Sequence, residues 1–544
     1  ISVIYKEYCR QLRAKGLMDY DDQMVYAYTM LRSVPELLRH FQELYPYICV
    51  DEAQDTSKIQ HAIIALLASG SENLFMVGDE DQSIYGFRAA YPEALLTFEK
   101  NYPDAKVLLM EENFRSDARI VLAADRFIQK NTLRHEKHMK AARKPASDIR
   151  EISLRSRKAQ YTYLAKLAEG CTSQTAILYR DNECILPLVD LLERNGIPYQ
   201  MRNAELSFFS HRTILDIINI IKLAQNPMDT EAFLQIYYKI GTYLRKQDAI
   251  RIARISEEKR IPVLDVAAED PDLNGHVLGS VRSMRTHLQN LLQDSGERAL
   301  YRIMQYMGYQ EYLNRSGLSD SKLEILRILG SRADSPMELA ERLEQLKVLI
   351  REKEPDRKCP LILSTIHASK GLEYDSVYLI DVADGILPES IPQNLHQASA
   401  EELKAYEEER RLFYVGVTRA KDHLTLFTTN RPSTFCSEFL GKSSVTEEGR
   451  KNLMPVESRI SRTFKQARPY AAVAGIRQTK ASEELYFRLK EELGTGVIVE
   501  HKKYGEGVVT QLDDRLVHIM FQDDTLRMMD LKILANAGLL KVKK

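Results

Sequence analysis

Residues 47–55 have the sequence Tyr-Ile-Cys-Val-Asp-Glu-Ala-Gln-Asp, so that a short apolar run ends in acidic residues. A run of this length is typical of a strand buried in a parallel sheet. Similar runs occur at Leu74–Val77 and Lys106–Met110, and polar residues follow each of them. The pattern predicts a sheet with polar side chains at the carboxyl ends of its strands, where open α/β sheets bind their ligands.

The middle of the chain predicts a second sheet of the same kind. Strand-length apolar runs, each followed by a helical pattern, occur at Ala176–Tyr179, Leu361–Ile366, Val377–Ile380 and Leu424–Phe427. This alternation favours an α/β fold in which parallel sheets are covered by helices. Residues 216–359 show helical periodicity instead, which predicts a helical insertion that interrupts the second sheet.

The C-terminal part of the chain has a different composition. Residues 436–490 are polar, basic and weakly periodic, which predicts a linker. In residues 491–544, runs such as Val497–Val499 and Val517–Phe521 alternate with turn residues, which predicts a small β module.

Composition excludes few classes of function. The 544 residues include 76 basic and 77 acidic side chains, so the overall charge neither favours nor excludes nucleic acid. Two basic stretches, Lys130–Lys144 and Lys451–Lys480, are either phosphate contacts or solvated surface and linker. No apolar run is long enough for a membrane span, and the six scattered cysteines form no CxxC pair. We therefore expect a cytoplasmic protein without a zinc or iron–sulfur site.

The acidic residues Asp51 and Glu52 form the first candidate site. An enzyme that hydrolyses a nucleotide needs one carboxylate at a strand end to hold Mg²⁺ and another to orient the attacking water. Asp51 is the candidate metal residue, and Glu52 is the candidate general base, also placed at the metal. The alternative interpretation is an ordinary acidic turn after a strand.

Other blocks carry side chains suited to phosphates and bases. Gln82 can contact a γ-phosphate or its attacking water. Tyr85 and Phe87 can stack on nucleic-acid bases, or simply pack in a core. Arg115 and Arg419 can neutralise charge that develops on a phosphoryl group. For Arg419, a surface salt bridge is the alternative.

Several such blocks in a fixed order are more specific than any one of them. The chain resembles the UvrD/Rep/PcrA family of superfamily 1 DNA helicases, with counterparts of helicase motifs II to VI at Asp51–Asp55 (DEAQD), Gly78–Arg88 (GDEDQSIYGFR), Glu112–Ser116 (ENFRS), Ser364–Tyr374 (STIHASKGLEY) and Arg410–Ala420 (RRLFYVGVTRA). The segment Tyr504–Val508 resembles the family's C-terminal Tudor-like module.

The resemblance implies an α/β organisation with two RecA-like parallel-sheet P-loop NTPase domains. The first is expected in residues 1–145 and is incomplete, and the second is expected in residues 146–215 and 360–435. A helical, 2B-like insertion at 216–359, a basic linker at 436–490 and a Tudor/SH3-like module at 491–544 complete the expected organisation.

The resemblance also implies roles for individual residues. Asp51 and Glu52 would serve Mg²⁺ and the activation of water. The γ-phosphate would be surrounded by Gln82, Arg115, Glu373 and Arg419. Gly371 would lie in the same nucleotide site, and Phe114 would stack on the adenine. Single-stranded DNA would be held by Tyr85, Phe87, Arg88, Thr365 and His367.

One part of the family pattern does not occur in the 544 residues. The phosphate-binding loop GxxxxGK[ST] has a partial match at Gly441–Ser443, but Cys436 replaces its first glycine and no strand precedes it. A P-loop needs the strand–loop–helix context to direct backbone N–H groups at phosphates. We therefore expect the loop to lie upstream of Ile1, and the chain by itself to have little ATPase activity.

The resemblance implies an ATP-dependent 3′–5′ DNA helicase or single-stranded DNA translocase of DNA repair or replication. Its expected ligands are ATP, Mg²⁺, single-stranded DNA and single-strand/duplex junctions, and its C-terminal module is expected to engage RNA polymerase or a repair protein. One alternative is a nucleic-acid-binding protein without catalysis. Another, ranked lower, is a helicase–nuclease of the AddA/RecB type, because those proteins carry a large C-terminal nuclease domain.

Overall fold

The computed structural model describes residues 2–202, 207–317, 321–353, 356, 358–395, 397–430 and 433–442, together with parts of the C-terminal region between 489 and 542. The chain forms two compact units, Ile1–Ser444 and Val445–Lys544. Within the described residues, no helix is long and apolar enough to cross a bilayer.

The N-terminal part contains a small parallel sheet of strands β1 (Ile48–Val50) and β2 (Leu74–Met76). Backbone hydrogen bonds continue past the strands, because Val77 N–H donates to Val50 O over 2.8 Å and Ala53 N–H donates to Val77 O over 2.9 Å. The two polar stretches that follow the strands are thereby held side by side. The helices of this part are α1 (Ser2–Ala14), α2 (Tyr20–Ser33), α3 (Pro35–Leu44), α4 (Lys58–Ala68), α5 (Glu93–Leu96), α6 (Phe98–Asn101) and α7 (Ala118–Ile128).

The strand predicted at Lys106–Met110 is wrong. Residues 105–111 carry no strand, and Leu108 and Met110 are exposed. No strand among the described residues pairs with this stretch, and an apolar run cannot form a strand without a hydrogen-bonding neighbour. Pairing begins one residue later, where β3 (Glu112–Asn113) lies parallel to β4 (Lys140–Ala141).

A six-stranded parallel sheet forms the centre of the larger unit. Its strands are β5 (Arg150–Leu154), β6 (Thr175–Tyr179), β7 (Gln200–Met201), β8 (Leu361–Thr365), β9 (Tyr374–Leu379) and β10 (Ala420–Thr429), in the order β5-β10-β9-β6-β8-β7. The sheet confirms the predicted parallel α/β fold. β6 and β8 are buried along their whole length, as expected for central strands covered by helices on both faces. β5 and β7 were not predicted from the sequence.

Helices α8 (Arg157–Ala168) and α9 (Leu186–Arg194) pack on this sheet. The regular elements described between β7 and β8 are all helices. They are α10 (Ser207–Ser210), α11 (Arg212–Gln225), α12 (Thr230–Ile236), α13 (Lys246–Lys259), α14 (Val263–Ala268), α15 (Gly275–Leu291), α16 (Gly296–Gln305), α17 (Tyr309–Ser316), α18 (Ser321–Gly330) and α19 (Pro336–Glu352).

Helical spacing of apolar residues explains how these helices pack. In α11, Ile214, Ile217 and Ile221 lie on one face and are buried. The helical region is also joined to α9 by charge, because Asp190 is buried and pairs with Arg332 (3.2 Å) and Arg342 (2.7 Å).

Helices α20 (Ala400–Val417) and α21 (Thr434–Phe439) complete the larger unit. Ser399 caps α20 by accepting a hydrogen bond from Glu402 N–H, and the Glu402 carboxylate accepts one from Ser399 N–H. This capping box fixes the start of a helix that ends two residues before Arg419. Most of the last predicted block, Arg410–Ala420, therefore lies on α20, and Arg419 follows the end of the helix.

The smaller unit contains an antiparallel sheet of five strands among its described residues. These are β11 (Ile498–His501), β12 (Gly505–Leu512), β13 (Leu516–Phe521), β14 (Leu526–Asp530) and β15 (Leu540–Val542), in the order β14-β13-β12-β11-β15. Val499, Val509 and Ile519 form part of its buried core. Most of the predicted linker, including Lys451–Lys480, lies outside the described residues.

Candidate functional site

The stretch after β1 folds into a 3-10 turn held by one amide side chain. Gln54 donates from Nε2 to Glu52 Oε2 over 2.5 Å, and its Oε1 accepts a hydrogen bond from Asp79 N–H over 3.0 Å. Glu52 has a φ of 50°, in the left-handed region, which turns its side chain away from the strand direction. Asp51 is exposed and accepts a hydrogen bond from Glu52 N–H over 2.9 Å. Gln54 thus joins the first two predicted blocks.

The stretch after β2 carries Gln82 on a second 3-10 turn, Glu80–Gln82. Asp79 Oδ2 accepts a hydrogen bond from Gln82 Nε2 over 2.7 Å, so the amide oxygen of Gln82 faces away from this carboxylate. Burial alone would raise the pKa of Asp79, but the ammonium of Lys137 and the bond from Gln82 hold it below its ordinary value. Asp79 is therefore an ionised anchor for Gln82.

The basic stretch Lys130–Lys144 supplies the counter-charges for this turn. Lys137 Nζ lies 2.7 Å from Asp79 Oδ1 and 3.0 Å from Glu80 Oε1. Arg134 pairs with Asp81 over 2.8 Å, and both side chains are buried. Neither interpretation of this stretch, phosphate contact or solvated surface, fits Arg134 and Lys137. Their charges neutralise carboxylates inside the protein instead.

Arg419 lies at the junction of α20 and β10 and is almost completely buried, with 1% of its surface exposed. Its Nη2 donates to Gln82 Oε1 over 3.3 Å, and its Nη1 donates to Leu372 O over 3.3 Å. Burial and the positive charge of Arg115 lower the pKa of Arg419 to about 10. The surface salt bridge considered as the alternative for Arg419 is therefore wrong.

Arg115 and Glu373 meet in the same region. Arg115 Nε donates to Glu373 Oε2 over 2.9 Å, and Lys421 Nζ lies 3.0 Å from Glu373 Oε1. The hydrogen bonds from Arg115 and Lys421 lower the pKa of Glu373. This charged pair therefore joins Arg115, which follows β3, to Glu373, which lies in the connection between β8 and β9. Phe114, next to Arg115, is exposed.

Lys370 is a further connection between the two parts. Its Nζ donates to Asp55 Oδ2 over 2.5 Å and to Gln82 O over 2.8 Å, and it lies 3.7 Å from Glu52 Oε2. The next residue, Gly371, has a φ of 77°, a backbone conformation that is strained for a residue with a side chain. The left-handed glycine therefore lets the chain turn immediately after the lysine enters the acidic site.

Aromatic residues form a cluster beside this site. The ring centroids of Tyr85 and Phe87 lie 6.0 and 5.7 Å from that of His367. Arg88 lies over both aromatic rings, with its Cζ 5.2 Å from the Tyr85 centroid and 5.4 Å from the Phe87 centroid. Tyr85 OH donates to His367 O over 3.2 Å, and Phe87 is 69% exposed. We call Tyr85, Phe87, Arg88 and His367 the aromatic cluster.

The charge state of His367 follows from its surroundings. Burial, and then the positive charge of Arg180, lower the pKa of His367 to about 4. Its ring is therefore neutral near pH 7. Thr365, which was predicted with His367, is buried, and its Oγ1 accepts a hydrogen bond from Ala368 N–H over 3.1 Å. Its hydroxyl is thus engaged in the local turn.

Comparison with known protein families agrees with this arrangement. The model of the UvrD/REP helicase N-terminal domain matches residues 1–103, and the model of the UvrD-like helicase C-terminal domain matches residues 108–431. The chain belongs to the UvrD-like helicase family. The family assignment confirms the resemblance drawn from the five sequence blocks.

Curated relatives of this UvrD-like helicase chain cover most of its length. It is 31% identical over 440 residues to YjcD of Bacillus subtilis, an alignment that covers 78% of the chain and 57% of YjcD. It is 28% identical over 550 residues to the ATP-dependent DNA helicase PcrA of Staphylococcus epidermidis, which covers 95% of the chain and 73% of that relative. PcrA of Staphylococcus aureus is 26% identical over 552 residues. The chain therefore spans between about half and three quarters of these proteins.

The UvrD-like helicase site contains residues that were not assigned a role from the sequence. Lys370 and Asp55 lie inside two of the quoted blocks, and opposite charges in those blocks were the available signal. Lys137 gave no signal, because its partner Asp79 is distant in sequence, and Gln54 gave none for its bond to the distant backbone N–H of Asp79. The roles of all the predicted site residues stay predictions, and no described contact joins Asp51 or Phe114 to Gln82, Arg419 or Glu373.

Proposed function

We propose that this UvrD-like helicase chain is the motor region of an ATP-dependent DNA helicase that translocates along single-stranded DNA in the 3′–5′ direction. The main support is the hydrogen bond between Arg419 and Gln82, which joins the block after β2 to the end of the block carried by α20. Such a pair can respond to a nucleotide held between two walls of a crevice. The domain boundaries given above are part of this proposal.

The residues present suit a polyphosphate. Arg115 and Arg419 are close enough for the charge of one to lower the pKa of the other, so an anion near both would relieve their repulsion. We propose that Gln82, Arg115, Glu373 and Arg419 face the γ-phosphate, that Gly371 belongs to the same site and that Phe114 stacks on the adenine.

Mg²⁺ fits the exposed carboxylates at the end of β1. Among the described residues, no cluster of three or more His, Cys, Asp or Glu side chains is placed to hold a metal ion. Mg²⁺ on a nucleotide does not need one, because it keeps several waters and binds through one or two carboxylates and the substrate phosphates. We propose Asp51, with Glu52, for this role. When bound, the ion would neutralise charge on the phosphates.

The protein's own groups would then carry the hydrolysis. Glu52 would orient the attacking water and accept its proton, and Gln82 would position that water. Arg115 and Arg419 would stabilise the negative charge that develops on the transferred phosphoryl group. Because Gln54 bonds both Glu52 and Asp79 N–H, the base and the glutamine would keep a fixed separation.

The aromatic cluster is the proposed contact with DNA. An exposed Phe87 and a neutral His367 offer flat faces to bases, and Arg88 offers a cation to phosphates or to a stacked base. Thr365 would contribute through the turn that it caps. Phe87 belongs to the first part of the chain and His367 to the second, so movement between them would move a bound strand.

The proposal also covers the location of the protein, its biological role and its partners. Six free cysteines favour a reducing, cytoplasmic location. A role in DNA repair or replication, binding at single-strand/duplex junctions, and a protein partner such as RNA polymerase or a repair protein for the antiparallel module rest on the resemblance alone.

A binding comparison tests the proposed DNA contact. Fluorescence anisotropy of labelled oligo(dT) and of a blunt duplex with the same number of phosphates separates base stacking from simple charge attraction. We expect tighter binding of the single strand, and a smaller slope of affinity against salt than charge attraction alone would give. Equal affinity for both nucleic acids, or no binding, would contradict the proposal.

A further inference from the structure

The loop that carries the aromatic rings is bonded to one helix and its C-terminal continuation. Glu408 Oε1 accepts a hydrogen bond from Gly86 N–H over 2.8 Å. Arg411, one helical turn later, donates from Nε to Ser83 O over 2.8 Å. Arg419, just past the helix, donates to Gln82 Oε1 over 3.3 Å. The loop from Gln82 to Gly86 is therefore attached at three points to α20 and the residues that follow it.

We propose that Glu408 is a positioning residue for the aromatic cluster, whose carboxylate fixes the backbone between Tyr85 and Phe87 for stacking on bases. This inference rests on the proposed DNA contact. The Gly86 amide lies at the midpoint of the two rings in sequence, so its position sets where both ring-bearing Cα atoms lie. The Tyr85 side chain is tied to the second part of the chain by a separate hydrogen bond, which its hydroxyl donates to His367 O.

The glycine supports the same conclusion. A Cβ at position 86 would clash with the Glu408 carboxylate, so glycine allows the close approach of the carboxylate to the backbone N–H. Neither residue was assigned a role from the sequence. The two residues fit each other, because the carboxylate can approach only an unobstructed N–H and a glycine leaves this N–H unobstructed.

A consequence for the motor follows from the shared helix. Because α20 leads into Arg419 and also carries Glu408, a displacement of the helix would act on Gln82 and on the aromatic rings together. The γ-phosphate side of the loop and its DNA side would then move as one body. Glu408 would make the DNA-binding end of the loop move together with the end that faces the γ-phosphate.

A single tryptophan can report on this loop, because the chain contains no tryptophan. The Phe87→Trp chain of 544 residues places the reporter on the exposed ring position. Indole anisotropy and acrylamide quenching measure the mobility of the ring without DNA, and titration with oligo(dT) measures affinity. Variants Glu408→Ala, Glu408→Gln and Gly86→Ala are compared in this background. Glu401→Ala, an exposed glutamate on the same helix, is the control.

We expect Glu408→Ala to lower the indole anisotropy and to weaken oligo(dT) binding about tenfold. Glu408→Gln should bind within about twofold of the parent, because the amide oxygen can still accept from Gly86 N–H. Gly86→Ala should resemble Glu408→Ala. The double variant Glu408→Ala/Gly86→Ala should bind oligo(dT) no more weakly than either single variant, because each substitution removes the same hydrogen bond. Glu401→Ala should change nothing.

The outcomes separate this inference from the proposed function. If Glu408→Ala folds and leaves both ring mobility and affinity unchanged, the positioning role is overturned while DNA binding stands. If the parent does not bind oligo(dT) but Glu408→Ala still loosens the indole, the DNA contact fails and the positioning of the loop stands. If Glu408→Ala does not fold, Gly86→Ala takes its place: a looser indole and weaker oligo(dT) binding in Gly86→Ala, with Glu408→Gln close to the parent, would support the inference, and a Gly86→Ala variant that behaves like the parent would overturn it.

Discussion

Arg419 and Gln82 form a hydrogen bond of 3.3 Å between Nη2 and Oε1, although 337 positions separate them in the chain. Gln82 is also anchored to Asp79, and Arg419 is anchored to Leu372 O. The bond is therefore made between two groups that their own surroundings already hold in place. A small change in the distance between the two parts of the chain would therefore lengthen or break this hydrogen bond.

ATP turnover by the chain is expected to be close to background. Backbone N–H groups of a P-loop normally hold the phosphates, and no strand–loop–helix GxxxxGK[ST] segment occurs in the 544 residues. We expect phosphate release with MgATP and oligo(dT) to equal that of the Glu52→Gln variant. Robust turnover that Glu52→Gln abolishes would contradict the expectation, and would show that other groups of the site suffice to hold the phosphates.

Replacing Asp190 is expected to destabilise the larger unit. Asp190 is buried and pairs with Arg194 (3.0 Å), Arg332 (3.2 Å) and Arg342 (2.7 Å). Burial lowers the pKa of Arg332, and the charge of Asp190 and its hydrogen bond to Arg332 oppose that shift. Asp190→Ala should lower the free energy of unfolding by about 3–5 kcal/mol, the usual cost of leaving a buried charge without its partner.

Urea unfolding followed by circular dichroism measures this change. Glu344→Ala is the matched control, because Glu344 is exposed and its pairing with Lys347 is on the surface. Such a pair contributes less than about 1 kcal/mol. Equal unfolding midpoints for the two variants would show that the cluster around Asp190 does not hold the helical region to α9.

The stability of the larger unit should depend on pH through His367. Its pKa is about 4 in the folded chain, below its ordinary value of 6.5, because of burial and the charges of Arg180 and Arg88. The unfolded chain therefore binds more protons between these values, so the stability contributed by His367 is complete above about pH 6.5 and is lost as the pH falls towards about 4. Unfolding in urea across this range measures the slope.

His367→Asn should reduce this dependence of the free energy of unfolding on pH. Near pH 7, its free energy of unfolding should stay close to that of the parent. His276→Asn is the control, because His276 lies on the exposed surface of α15. If the His367 and His276 variants keep the same slope as the parent, His367 is not buried in its neutral form.

The sequence predicted some of these features and missed others for physical reasons. Gln82 and Arg419 were placed in one site because the blocks that carry them form a recognisable order. Lys137, which pairs with Asp79, and Glu408, which accepts from Gly86 N–H, were not, since pairings across 58 and 322 positions leave no local pattern. The run at Lys106–Met110 was misinterpreted because apolar composition does not supply the neighbouring strand that pairing requires.

Helical periodicity was a better guide than strand composition. The stripe of Ile214, Ile217 and Ile221 predicts the buried face of α11 directly. β7, in contrast, contains only Gln200 and Met201, and two residues cannot show an alternation. Short edge strands of this kind depend on their neighbour, here β8, and not on their own sequence.

The affinity for oligo(dT) of chains altered in the aromatic cluster tests the central claim most directly, because the cluster combines Phe87 from the first part with His367 from the second. Fluorescence anisotropy would compare the parent chain, Phe87→Ala and His367→Ala with Tyr301→Ala, an aromatic residue that is 52% exposed in the helical region. The account predicts that each of the first two variants binds about tenfold more weakly and that Tyr301→Ala binds like the parent. Unchanged affinity in both cluster variants, or an equal loss in Tyr301→Ala, would contradict it.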